Sequence, residues 1–170
     1  VHPFRIPSAW AWRPSPNHSP RGAAVTAIVL HADAASRIES SLDWVRRAES
    51  KVSYHVMIGR TGEVFAVVNP DRKAWHAGAS TMGAERDVNR FSVGVCMSNR
   101  NDGVERYPMA QQGAAADVCA VLCAHYGIAV ERITTHALIA PDRKTDPNGL
   151  DIASFRAMVT ARLAPTPTAA

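Results

Sequence analysis

The sequence predicts a single α/β domain, built on a mixed, mostly central sheet of about five strands flanked by three helices. Short runs rich in β-branched residues carry the first part of that reading: VTAIVL at 25–30, SVGVCM at 92–97 and ITT at 133–135, each separated from the next by segments long enough to hold a helix. Two further β-rich runs, Val52 to Gly59 and Glu63 to Val68, meet across Arg60-Thr61-Gly62, which reads as a hairpin. The hairpin makes one pairing antiparallel, whereas helical crossovers favour parallel neighbours, so the sheet is mixed. At 170 residues and 46% hydrophobic content, the chain suits one domain with one core.

Taken in order, residues 1–24 hold five of the eleven prolines together with Trp10 and Trp12, and show neither period. They read as an extended N-terminal arm packed on the domain through its tryptophans, with His2 and His18 as loop residues. The domain proper runs over 25–163. After the first strand, Ser36 to Glu39 has the form of a capping box, and Ile38, Leu42 and Val45 behind it predict an amphipathic helix of about three turns. Residues 69–90 are polar and glycine-bearing, mostly loop, and contain AWHAG; a loop this long inside a compact domain is usually functional or disordered. Pro108 suits the first position of a second helix, whose apolar face is Val118, Val121, Leu122 and His125 and whose end is Gly127. Ile152, Phe155, Val159 and Leu163 mark the last helix, and 164–170 is a proline-containing tail.

A net charge of +4 and a pI near 9.3 point to an anionic partner, for which nucleic acid and the bacterial wall both qualify. No Lys/Arg block or basic stripe with interleaved aromatics is present, so nucleic acid ranks low. No segment reads as a signal peptide, and no apolar run reaches the roughly 18 to 20 residues of a membrane span. Three cysteines give no disulfide framework and read as reduced. Cys119 and Cys123, four apart on a helix, could ligate a metal with His125, but small buried thiols on an apolar helix face are the more ordinary reading.

The chemistry concentrates in THALIAPDRKTDP at 135–147. His136 closes a β-branched run and so stands at a strand's carboxyl end, where open α/β sheets place ligands. Asp146 follows a turn bounded by Pro141 and precedes Pro147, in a stretch too polar and proline-broken for helix or core strand. His31 closes VTAIVL in the same way. Two histidines and a carboxylate with an open position are a usual ligand set of catalytic zinc, whereas structural sites are closed by four ligands. Histidines at strand ends are, taken singly, more often ordinary hydrogen-bonded residues.

AIVLH, SYHVMIGRTGEVF, AWHAG, NRFSVGVCMSN and THALIAPDRKTDP occur in an order and at separations that resemble the zinc-dependent N-acetylmuramoyl-L-alanine amidase family, over Asn17 to Leu163. That family includes amidase-type phage lysozymes and peptidoglycan-recognition proteins. The resemblance implies Zn2+ held by His31, His136 and Asp146, with Lys144 stabilising the oxyanion and the Tyr54 phenol hydrogen-bonding at the metal site. It implies Trp75 and His76 as a substrate-binding groove wall, either of which could instead anchor the loop; His55 faces the opposite way and reads as structural. The expected reaction is hydrolysis of the amide between N-acetylmuramic acid and L-alanine in bacterial peptidoglycan, by a monomer without nucleic-acid or membrane partners. One departure is Cys96, where many members carry a glutamate general base; SVGVC is similar to the phage lysozymes' version of this strand. That branch implies an endolysin-like enzyme held in a host cytoplasm until lysis. A non-catalytic binding module of the same fold is the alternative, but all three ligand positions hold competent residues. A cysteine amidase using Cys96 lacks any recognisable nucleophile motif.

Overall fold

The computed structural model describes residues 2–164, so the predicted tail beyond Ala164 lies outside the described residues. The N-terminal segment contributes β1 (Ala11–Trp12) and β2 (His18–Pro20), followed by β3 (Ala27–Ala32), α1 (Ile38–Val45), β4 (Val56–Ile58) and β5 (Val64–Ala66). The middle of the chain holds β6 (Arg72–Ala74), β7 (Thr81–Met82), β8 (Glu85–Arg86) and β9 (Ser92–Met97). Then come α2 (Met109–Tyr126), β10 (Ile133–Thr135), the one-turn α3 (His136–Ile139) and α4 (Ile152–Leu163).

The main sheet has six strands in the order β1-β5-β4-β9-β3-β10. All its pairings are parallel except that of β4 with β5, the predicted hairpin. Every residue of β3 and β9 is buried. Their sequences are therefore continuous apolar runs rather than alternations, as strands covered on both faces require. On one face Ile28, Leu30, Val93, Val95 and Met97 pack with Val118, Leu122, Phe155 and Val159 of α2 and α4. On the other, α1 places Ile38, Leu42 and Val45 against Met57 and Cys96. Beside α1, Ala77 and Val88 from the loop after β6 pack on Ala27 and Val29.

The structure corrects several expectations. The sixth strand comes from the arm, whose Ala11 and Trp12 pair with Phe65 and Ala66, while β2 pairs antiparallel with β6. Strands of two or three residues are set by tertiary pairing and leave no periodic trace. The capping box does not form: Arg37 is the N-cap without a side-chain hydrogen bond, which puts Glu39 one position too early to reach back. The helix is eight residues long, although Ile38, Leu42 and Val45 are buried as their spacing predicts. Pro108 is the N-cap of α2 rather than its first residue, and Gly127 ends it at φ 69°, a left-handed position where glycine carries no Cβ penalty. Val121 is 42% exposed; the buried face runs through Ala115, Val118, Cys119 and Leu122. A fourth helix, α3, begins at His136 because Thr135 Oγ1 accepts the Leu138 N–H at 3.2 Å and turns the chain out of β10.

Candidate metal centre

Register explains why the two histidines meet. Thr135 of β10 is the partner of Leu30 in β3, so His136 and His31, each the next residue, emerge side by side at the carboxyl edge of adjacent parallel strands. Asp146 arrives from the loop after α3, whose Ala137 N–H donates to the Asp146 carbonyl at 2.8 Å. The result is a buried triangle: His31 Nδ1 lies 3.1 Å from His136 Nδ1 and 3.3 Å from Asp146 Oδ2, which is 3.1 Å from His136 Nδ1. It is the metal-capable group found among the described residues; Cys119, Cys123 and His125 form no such group, and both thiols are buried in the core.

The donor set fits a zinc ion. Zinc–ligand bonds of about 2.0–2.1 Å at tetrahedral angles separate neighbouring donors by about 3.3 Å, close to the edges of this triangle. The far nitrogens agree. His136 Nε2 lies 3.2 Å from the Ala77 carbonyl, an acceptor only, so Nε2 is the donor in that contact and carries a proton. His31 Nε2 is 2.9 Å from His76 Nδ1. Burial first, then the neighbouring His136, pulls His31 down to about 4 despite the opposing pull of Asp146, so this ring is neutral at pH 7. Two lone pairs and a carboxylate oxygen thus converge, an arrangement that a cation between them relieves.

The triangle opens into a cleft of ≈ 330 Å³ whose lining includes Asp33, Tyr54, Asn101, Arg143, Lys144 and Asp146. Arg143 also lines an adjoining groove of ≈ 600 Å³. Tyr54 sits with its ring 5.1 Å from that of His31. Burial, reinforced by Cys96, Asp146 and Asp33, raises its phenol well above 10, so it serves as a hydrogen-bond donor. Cys96 is fully buried, and burial together with Asp33 and Asp146 keeps it a neutral thiol. The turn at Ala140, whose carbonyl accepts both Arg143 and Lys144 N–H at 3.0 Å, brings Lys144 to the cleft beside Asp146.

The structure sets the two side chains of AWHAG apart. Trp75 is outside the cleft lining: its indole N–H donates to Ser19 Oγ of β2 at 3.3 Å, which makes it an anchor for the arm. His76 is among the residues lining the cleft, although it is only 4% exposed and lies against His31. His55, as expected on its face, is structural: its Nδ1 accepts the Gly94 N–H at 2.8 Å and its Nε2 reaches the Arg72 carbonyl at 2.9 Å. Sequence reasoning missed Asp33, Asn101 and Arg143. Asn101 does carry a signal of a kind, an Asn at φ 58° in a loop, where its side chain bonds Thr145 Oγ1 and Asn148 N–H and so holds the Asp146 loop.

The family model for N-acetylmuramoyl-L-alanine amidase matches residues 21–149. The chain belongs to that amidase family. Among curated relatives, the 1,6-anhydro-N-acetylmuramyl-L-alanine amidase AmpD of Citrobacter freundii is 39% identical over 114 residues, 66% of this chain and 60% of its own length. Among solved structures, a crystal structure of AmpD superposes with a TM-score of 0.76 at 28% identity, covering 91% of this chain and 96% of that one. The Escherichia coli amidase AmiD, in complex with the substrate anhydro-N-acetylmuramic acid-L-Ala-D-γ-Glu-L-Lys, gives 0.71 at 25% identity, covering 91% and 60%. The amidase fold is thus the architecture described above. These relatives are AmpD- and AmiD-type amidases, and they lend no support to the phage-lysozyme branch drawn from SVGVC.

Proposed function

We propose that this chain is a zinc-dependent amidase that hydrolyses the bond between the lactyl group of N-acetylmuramic acid and L-alanine, with 1,6-anhydromuramyl peptides as its substrate class. The observation that carries the reading is the His31–His136–Asp146 triangle, open to a cleft that also holds Lys144 and Tyr54. The anhydromuramyl compounds named for the relatives AmpD and AmiD support that substrate class.

The chemistry a zinc ion supplies when bound is Lewis acidity, which activates water near neutral pH and polarises an amide carbonyl. The chain's own residues do the rest. Lys144 places a cation beside the ligands, where charge developing on the carbonyl oxygen needs a fixed partner; such a donor contributes about 3–4 kcal/mol. Tyr54 lines the same cleft and keeps its proton, with Cys96 as its side-chain hydrogen-bond partner. Cys96 keeps its proton too, so the glutamate's role in other members is not taken over by this thiol. Asp33 Oδ1 accepts the N–H groups of Ala35 and Asn99 at 3.2 and 3.0 Å, which fixes the cleft wall. Arg143 donates to the carbonyls of Ala77 and Ala79 at 2.9 and 2.6 Å, joining the cleft to the adjoining groove in which the rest of a muramyl peptide would lie.

Elemental analysis tests the metal centre: one zinc per chain in protein prepared without chelator, lost in His136→Ala. No bound transition metal in the wild type, or full occupancy in the variant, would defeat the ligand assignment.

A further inference from the structure

The AWHAG motif sends Trp75 away from the cleft, and its His76, although among the cleft-lining residues, is almost wholly buried. Its middle residues instead touch both metal-binding histidines on the side away from the triangle. His76 Nδ1 lies 2.9 Å from His31 Nε2, and the Ala77 carbonyl lies 3.2 Å from His136 Nε2. The geometry points to the His76-Ala77 dipeptide as the device that sets the ring orientation and tautomer of both histidines, leaving each Nδ1 as a bare donor for the metal.

Hydrogen-bond directions can be followed from the far end. Ser92 Oγ lies 2.6 Å from the Val88 carbonyl, which only accepts, so the hydroxyl proton goes there. Ser92 Oγ therefore accepts from His76 Nε2, 3.3 Å away. With its proton on Nε2, neutral His76 offers a lone pair at Nδ1, and His31 Nε2–H must donate to it. That leaves His31 Nδ1 unprotonated, facing His136 and Asp146. On the His136 side a backbone carbonyl does the same with no ambiguity of direction.

The dipeptide is itself fixed. Asn89 Oδ1 accepts both the His76 and the Ala77 N–H, at 3.1 and 2.8 Å. Gly94 provides the floor: a Cβ there would stand 2.5 Å from His76 Cγ, so the ring lies directly on strand backbone with no room for a side chain. Partners of metal-binding histidines typically alter metal affinity by about 10- to 100-fold when removed. His76, Ser92 and Asn89 are positioning residues in this account, acting through His31 and His136.

The inference rests on the metal-centre reading, and zinc affinity measured by chelator competition on the full chain separates the two. Wild-type protein that binds no zinc would defeat the metal centre itself. Given wild-type binding, His76→Leu should weaken zinc about 10- to 100-fold, with the melting temperature of the metal-free protein little changed. His76→Asn, whose side-chain oxygen replaces Nδ1, should recover much of that loss, whereas His76→Gln, which replaces Nε2, should recover less. A purely structural role predicts no such order. Imidazole nitrogen NMR of the metal-free protein should find His31 in the Nε2–H form in the wild type and shifted from it in His76→Leu. If His76→Leu does not fold, Ser92→Ala is the second arm, expected to lower affinity several-fold by freeing His76 Nε2. A folded variant, His76→Leu or Ser92→Ala, with wild-type zinc affinity and an unchanged His31 tautomer would overturn the inference.

Discussion

Cys96 stands directly across the parallel ladder from the metal-site residue His31, the two being register partners of β9 and β3. The thiol is closed off from solvent, and burial raises it well above its ordinary value. A buried neutral thiol is a packing group, so Cys96→Ser should keep most of the amidase activity, and thiol-blocking reagents should leave the folded wild type active. Loss of turnover on alkylation, spared in Cys96→Ser and indifferent to chelators, would establish a cysteine nucleophile instead.

Lys144 and Tyr54 allow chemistry to be separated from metal binding, because both line the cleft and neither belongs to the ligand triangle. Lys144→Ala should lower kcat by about a hundredfold with little change in KM, as for an interaction made in the transition state. Tyr54→Phe removes one hydroxyl and should cost less. Zinc content should be that of the wild type in both, and near-normal turnover by both would remove these residues from the mechanism.

The loop that carries Asn101 to the site is held by Arg60, which pairs with Glu105 at 2.6 Å and also donates to Ser98 Oγ and the Ala35 carbonyl. The Arg60 hydrogen bond outweighs burial and holds the Glu105 carboxyl below its usual range. A depressed carboxylate contributes stability above its unfolded pKa, about 4.3, and loses it as the pH falls through the lower folded value. Glu105→Gln should therefore be less stable than wild type at pH 7 by about 1 kcal/mol or less. The two stability curves should converge below pH 4; a gap that stays constant into acid would mean that packing, not charge, accounts for it.

The sequence made the sheet legible wherever burial on both faces forced continuous apolar runs, as in β3 and β9, and made α4 legible through Phe155 and Val159. It was silent on β1 and β2, whose two or three residues are strands only because β5 and β6 offer free edges. Its capping signal failed by one register step at Arg37. At the site, His31, His136 and Asp146 were readable because ligands stand at strand ends and in a proline-bounded loop. The surrounding shell was not: His76 under His31 depends on the absence of a side chain at Gly94, and the partner of His136 is a backbone carbonyl, which no residue identity encodes.

The most direct test of the account is mass-spectrometric analysis of 1,6-anhydro-N-acetylmuramyl-L-alanyl peptide incubated with purified protein, before and after chelation and after zinc is restored. The account predicts two products, the free sugar acid and a peptide with L-alanine at its amino terminus, whose formation stops on chelation and returns with zinc. Substrate left intact by zinc-loaded protein, or cleavage that persists after the metal is removed, would contradict it.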